Sequence, residues 1–200
     1  MTRRLLTVVL LAGGVPLGAA DSLAVHLDGD YLRVSLPHVD FLKGKPLDRL
    51  KDGASVAFIG KISITLSPNS LNSVTQAVAR FAMSYDIWEE RFSVTKFQSP
   101  ENKRPIAHLT EQAAENWCLD NLVIDRGLLP PDKPFYVQLE WRAEDPKDQL
   151  GVIGDPGINL TRLVEYLGRP PRSPEERRLY NAGPFRLADL KKSEVRAVRG

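Results

Sequence analysis

Hydrophobic and polar residues alternate along much of the chain, and the clearest case lies between residues 56 and 67. The apolar side chains fall on even positions and the polar ones on odd positions: Val56, Phe58, Ile62, Ile64 and Leu66 against Lys61, Ser63, Thr65 and Ser67. A period of two is typical of a β-strand with one buried face. Gly60 lies within this series and is predicted to form a β-bulge.

The same period recurs in five other segments. Asp28-Gly29-Asp30 separates two short alternating runs and predicts a hairpin turn. Residues 79–87 have apolar side chains on odd positions, and after Glu89 and Glu90 the apolar positions become even, which predicts a bulge or tight turn there. Residues 135–141 form the last such run. The pattern predicts a mainly β fold, an antiparallel β-sandwich that is immunoglobulin-like in general architecture.

A few segments have helical spacing instead. Thr110 is a suitable N-cap for a helix over residues 111–126, and Gly127 follows it as a stop. Short C-terminal helices are predicted from the apolar spacing at residues 160–167 and from Ser173-Pro174-Glu175-Glu176, which combines a cap, a proline and first-turn acids.

The N-terminus has the features of an export signal. Arg3 and Arg4 precede an apolar run, Leu5–Ala12, and small residues follow at positions 18–20. The stretch from Leu5 to Ala20 has 16 residues, fewer than the roughly 20 that span a bilayer. We therefore expect a Sec-type signal peptide over 1–20 and a periplasmic or secreted protein, with an uncleaved anchor as the alternative. The remaining chain divides into a β-sandwich domain, 21–145, and a segment of loop, short helices and basic tail, 146–200.

Composition adds an electrostatic asymmetry. The 200 residues include 27 Lys+Arg and 25 Asp+Glu, a near balance that argues against nucleic-acid binding. Residues 168–200 nevertheless carry nine basic and four acidic residues, whereas residues 21–167 carry 16 basic and 21 acidic ones. A basic tail therefore follows an acidic body.

Several motifs for catalysis or cofactor binding are missing from the sequence. It has no Gly-x-Ser-x-Gly, Gly-x-Gly-x-x-Gly or Walker-type motif, so no cofactor is expected. The single cysteine, Cys118, is predicted to be buried in the helix. The three histidines lack metal-ligand spacing, which argues against a metal site: His26, His38 and His108. Weaker alternatives are calcium at Asp28-Gly29-Asp30 or at the acids of residues 145–155, and carboxylate chemistry at Glu89, Glu90 or Glu140.

Residues 84–94 form the densest group of aromatic and charged side chains. Trp88 lies on the polar side of its alternating run, next to Glu89 and close to Arg91, and an outward Trp of this kind is typical of a protein-binding hot spot. Tyr85, Trp88 and Arg91 are therefore the candidate partner-binding residues. The alternative is that the basic tail or the helix at 160–167 covers Trp88.

This region and its surroundings resemble an uncharacterised bacterial secreted family, domain-of-unknown-function family 4390. The resemblance rests on Leu32-Arg33-Val34-Ser35-Leu36, on Asp52-Gly53 before the strand at 56–66, and on residues 80–94, and it covers about residues 22–142. It implies an envelope location and a β-rich fold, and it supplies no catalytic residues.

These observations predict an exported, non-enzymatic envelope protein that binds a protein partner or another envelope component. Membrane contact is expected only through an uncleaved signal or the basic tail. The alternative is a periplasmic hydrolase or small-ligand-binding sandwich whose site forms only in three dimensions, from His38, His108 or the acids near Glu89.

Overall fold

A computed structural model describes residues 23–97, 105–144 and 177–190. Within these ranges the chain forms nine β-strands and two α-helices, in the order β1 (Ala24–Asp28), β2 (Tyr31–Ser35), α1 (Lys45–Lys51), β3 (Val56–Thr65), β4 (Thr75–Asp86), β5 (Arg91–Lys96), β6 (Ile106–Leu109), α2 (Glu111–Asp120), β7 (Ile124–Asp125), β8 (Phe135–Ala143) and β9 (Arg177–Phe185). Single 3₁₀ turns follow β7 at Arg126–Leu128 and β9 at Leu187–Asp189. The prediction of a mainly β fold is confirmed.

The strands form two antiparallel sheets, as expected for a sandwich. The smaller sheet has the order β1-β2-β7, and the larger has the order β6-β5-β4-β3-β8-β9. The predicted hairpin at Asp28-Gly29-Asp30 is confirmed, because Asp28 pairs with Tyr31 and Gly29 has a φ of 58°. Glycine adopts this left-handed conformation without the steric penalty of a Cβ atom.

The central strand β3 differs from the prediction in two ways. It is buried on both faces, so Ser63 and Thr65, expected to face solvent, are only 5% and 1% exposed. The bulge predicted at Gly60 is wrong: Gly60 pairs in regular register with Ala79 on one side and Trp141 on the other. Gly60 is instead a close-contact position, because a Cβ atom there would lie 2.6 Å from Cζ3 of Trp141.

Helix α2 starts where the sequence predicts and ends earlier. The Thr110 hydroxyl accepts a hydrogen bond from the Ala113 amide at 3.3 Å and caps the helix. The helix ends at Asp120 and not at residue 126, because Ile124 pairs with Leu32 in the smaller sheet. Strand pairing therefore replaces the last predicted turns of helix.

Strand β9 corrects the predicted division of the chain. The sequence predicts a segment of loop, short helices and tail over residues 146–200, but residues 177–185 pair with β8 from Phe135↔Phe185 to Arg142↔Arg177. The sheet therefore extends beyond the predicted boundary at 145. The predicted signal peptide, the predicted helix at 160–167 and the cap at 173–176 lie outside the described residues. None of the helices in the described ranges is long and apolar enough to cross a membrane.

One hydrophobic core joins both sheets and α2. At its centre Trp141 stacks on Phe41 with ring centroids 4.4 Å apart, and Phe81 lies 5.7 Å from the same ring. Cys118 on α2 is fully buried in this core, as predicted, and burial raises the pKa of its thiol. A buried, protonated thiol is a structural residue and a poor nucleophile.

Candidate functional site

The tip of the β4–β5 hairpin holds the most exposed aromatic side chain of the described residues. Asp86 and Arg91 pair across the hairpin, and residues 87–90 form the turn between them. Trp88 is 90% exposed and Ile87 is 55% exposed. The change of parity predicted near Glu89 and Glu90 is therefore produced by a four-residue turn, and this turn places Trp88 at its apex and not on a strand.

Hydrogen bonds fix the shape of this turn. Oδ1 of Asp86 accepts hydrogen bonds from the Trp88 amide at 2.8 Å and the Glu89 amide at 3.0 Å. The bond from the Glu89 amide, and to a smaller extent the one from the Trp88 amide, lowers the pKa of Asp86. The carboxylate of Asp86 therefore stays ionised at neutral pH. Glu90 adopts a φ of 54° at the end of the turn. Trp88 is therefore exposed on a backbone that is already ordered.

A contact from the neighbouring strand holds the tip from the side. Nδ1 of His108 on β6 lies 2.7 Å from Oε2 of Glu89. His108 itself has a φ of 62°, an uncommon conformation for a residue with a Cβ atom. The tip thus combines an apolar apex with acidic groups and one histidine.

The three candidate partner-binding residues all lie at this end of the hairpin, in different environments. Tyr85 is half-buried and its ring lies 4.9 Å from that of Phe92, so it packs between the hairpin and the core. Arg91 is exposed, and its Nη1 donates to the Glu90 carbonyl at 3.1 Å. Trp88 and Arg91 face solvent, and Tyr85 supports the hairpin on which they lie.

The other candidate groups do not assemble into a site in the described part of the chain. His26 lies on β1, His38 follows β2, and His108 lies on β6. Among the residues described, no group of three or more His, Cys, Asp or Glu side chains could hold a metal ion. Of the two calcium alternatives, residues 145–155 lie outside the described ranges, and Asp28 contacts Nε of Arg33 at 2.7 Å.

A charged cluster that the sequence pattern does not predict lies on the face of the larger sheet opposite the core. Glu140 on β8 is 3% exposed and contacts three cationic side chains. Its carboxylate lies 3.2 Å from Nζ of Lys61, 3.2 Å from Nη2 of Arg142 and 2.8 Å from Nε of Arg177. We call these four residues the Glu140 cluster. Burial raises the pKa of Glu140, but the charges of Lys61 and Arg177 outweigh it, so the net shift is downward.

A second buried ion pair lies on the same face, one strand beyond β3. Nε and Nη2 of Arg80 on β4 donate to the two carboxylate oxygens of Glu144 at 2.6 and 2.5 Å. The Arg80 guanidinium also lies 4.7 Å from the centre of the Phe97 ring. Paired donors of this kind hold a carboxylate in one orientation. The cross-strand register that produces both groups could not be obtained from the sequence pattern.

Comparisons with known proteins do not extend this description: no family model, no curated protein and no solved structure matches the chain.

Proposed function

We propose that the protein is an exported, non-enzymatic module that binds a protein partner through the tip of the β4–β5 hairpin. The observation that carries this proposal is the 90% exposure of Trp88 on a turn whose backbone is fixed by Asp86. Exposing a large aromatic side chain to water is unfavourable, and aromatic anchors of this kind contribute much of the free energy of binding at protein interfaces.

The ordered turn supports this assignment for a second reason. Binding through a disordered loop would require the loop to become ordered, at a cost in conformational entropy. The carboxylate of Asp86 and the contact between Glu89 and His108 already order the turn in the free protein, so less conformational entropy is lost on binding. Arg91, exposed beside the apex, adds a cationic donor at the edge of the same surface.

Export and the family resemblance belong to the same proposal. The N-terminal pattern at residues 1–20 and the likeness to domain-of-unknown-function family 4390 both favour the bacterial envelope as the place of action. Mass spectrometry of the protein from its native host tests the export step. A mature chain that begins at Asp21 supports it, and a chain that retains the first 20 residues contradicts it.

Site-specific photocrosslinking in the native host tests the binding surface. A photoreactive phenylalanine analogue replaces Trp88 in one full-length variant and Leu71 in a matched control, because Leu71 is 101% exposed before β4, at the opposite end of that strand. We expect a discrete crosslinked product from position 88 and none from position 71.

Competition then distinguishes specific binding from general stickiness. Unlabelled wild-type protein should suppress the product, and Trp88→Ala should suppress it about 30-fold less well, since a hot-spot aromatic contributes about 2 kcal/mol. Equal products from positions 71 and 88, or equal competition by the wild type and Trp88→Ala, would refute the proposed surface.

A further inference from the structure

The Glu140 cluster has an unusual arrangement of charge that the proposed binding surface does not use. In the register of the larger sheet, Lys61 lies directly opposite Glu140, and Arg142 lies directly opposite Arg177. Like charges in directly opposed cross-strand positions destabilise a sheet. A pair of arginines placed this way is tolerated when an anion lies between or beside them.

The charge balance points to room for a further anion. Lys61 and Arg177 both take Glu140 as their ionic partner, at 3.2 and 2.8 Å. Even with Arg142 left out, two cations share one carboxylate. Because Glu140 has a lowered pKa, it supplies one full negative charge at neutral pH, so a positive charge remains on this pair.

The two cations that flank Glu140 are also accessible. The side chains of Lys61 and Arg177 are 24% and 37% exposed, whereas that of Glu140 is 4% exposed. An ammonium group has three donors and a guanidinium has five. After their contacts with Glu140, both side chains still have donors for a solute that approaches from solvent.

We propose that the Glu140 cluster binds a phosphate-class oxyanion between Lys61 and Arg177. Lysine acts as a compact point charge toward phosphate, and the guanidinium of arginine binds two of its oxygens at once. The buried carboxylate of Glu140 holds both cations in place from beneath. Because Glu140 also competes with any ligand for the donors of Lys61 and Arg177, an anion with a single, weak negative charge is expected to bind poorly.

Isothermal titration of the purified full-length protein with inorganic phosphate tests this site. We expect saturable binding that exceeds any effect of sodium chloride at equal ionic strength, and acetate should bind at least tenfold more weakly than phosphate. The double variant Lys61→Gln/Arg177→Gln should raise the Kd for phosphate at least tenfold. The matched control is Lys43→Gln, which removes an exposed lysine that contacts Asp40 at 2.8 Å, and it should leave the Kd unchanged.

Binding measured on the wild type and on charge-preserving variants tests the site even if the double variant folds poorly. Lack of saturable phosphate binding by the wild type overturns it, as does acetate binding as tight as that of phosphate. Lys61→Arg preserves the point charge and should retain phosphate binding within a few-fold, whereas Arg177→Lys loses the two-oxygen contact and should bind phosphate more weakly than Lys61→Arg, with near-ultraviolet circular dichroism confirming the fold. An equal rise in Kd for Lys43→Gln and the double variant would also overturn the site.

Discussion

Replacement of Gly60 by alanine is the sharpest test of the packing in the larger sheet. A Cβ atom at residue 60 would lie 2.6 Å from Cζ3 and 2.7 Å from Cη2 of Trp141, whereas carbon atoms in contact prefer about 3.5–4.0 Å. The overlap is therefore about 1 Å. The Trp141 ring has little freedom to retreat, because Phe41 stacks on it at 4.4 Å and Phe81 lies 5.7 Å away.

The size of the effect follows from two opposing terms. Overpacking a tight core costs about 1–3 kcal/mol. Alanine lowers the conformational entropy of the unfolded chain relative to glycine, which stabilises the folded state by about 0.4–1 kcal/mol. We expect Gly60→Ala to lower the free energy of unfolding by about 1–2 kcal/mol, a large share of the 5–15 kcal/mol typical of a folded domain.

Urea denaturation of the wild type and the variant measures this difference. Gly127→Ala is the matched control, because the new Cβ would meet only the Asp125 carboxylate, at 3.2 Å, in an exposed turn; its free energy of unfolding should stay within about 0.5 kcal/mol. Trp141→Phe removes the two ring atoms in the clash, so Gly60→Ala should cost less in that background. An unchanged midpoint for Gly60→Ala, or the same loss in both backgrounds, would refute the packing argument.

Three further predictions concern groups with defined partners. Burial raises the pKa of Glu115, so its folded-state carboxyl holds its proton more tightly than the unfolded one; the wild type should therefore lose stability relative to Glu115→Gln as the pH rises above about 4.3, and a difference between the two proteins in urea unfolding that does not change with pH would contradict this. Asp86→Ala should speed amide hydrogen exchange at Trp88, because the amide loses its acceptor, whereas Asp86→Asn keeps an acceptor and should change exchange less; equal rates in all three proteins would contradict the assigned turn. Thr110→Ala should lower the free energy of unfolding by about 1 kcal/mol through loss of the cap on the Ala113 amide, and Thr110→Ser, which keeps the hydroxyl, should restore most of it in the same urea assay.

The parts of the fold that depend on local pattern were predictable. The alternation in residues 79–87 and the shift in parity before Phe92 give the β4–β5 hairpin, because one buried face selects one register. The Thr110 cap and the turn at Gly29 follow from local backbone preferences in the same way. The exposure of Trp88 also follows from the local pattern, since it breaks the alternation of its neighbours, although it lies in the turn and not on a strand.

The rest depends on contacts between segments far apart in the sequence. Gly60 is consistent with either a bulge or a close approach, and only the position of Trp141 distinguishes them. Helix α2 ends early because Ile124 finds a strand partner in Leu32. Strand β9 has apolar side chains on adjacent positions, Leu179 and Tyr180, so no period of two marks it.

The position of β9 also changes the meaning of the charge asymmetry. Arg177 and Arg178 belong to the basic segment by sequence, yet Arg177 contacts the buried Glu140 at 2.8 Å and Nε of Arg178 donates to the Asp40 carbonyl at 3.2 Å. The hydroxyl of Tyr180 likewise donates to the Val39 carbonyl. These residues hold the connection after β2 against the larger sheet, so part of the basic segment is a structural element of the domain.

A truncation at Gly168 would therefore remove an entire sheet strand along with the tail. It would expose the edge of β8 and remove one cation from Glu140, and a buried carboxylate that loses a cationic partner destabilises the fold. If such a truncated protein lost binding, the cause could be either unfolding of the domain or removal of a contact surface, and the experiment would not distinguish them. Point substitutions at Trp88, which is 90% exposed, leave β9 in place, and they separate the hairpin tip from the basic segment as the origin of any binding.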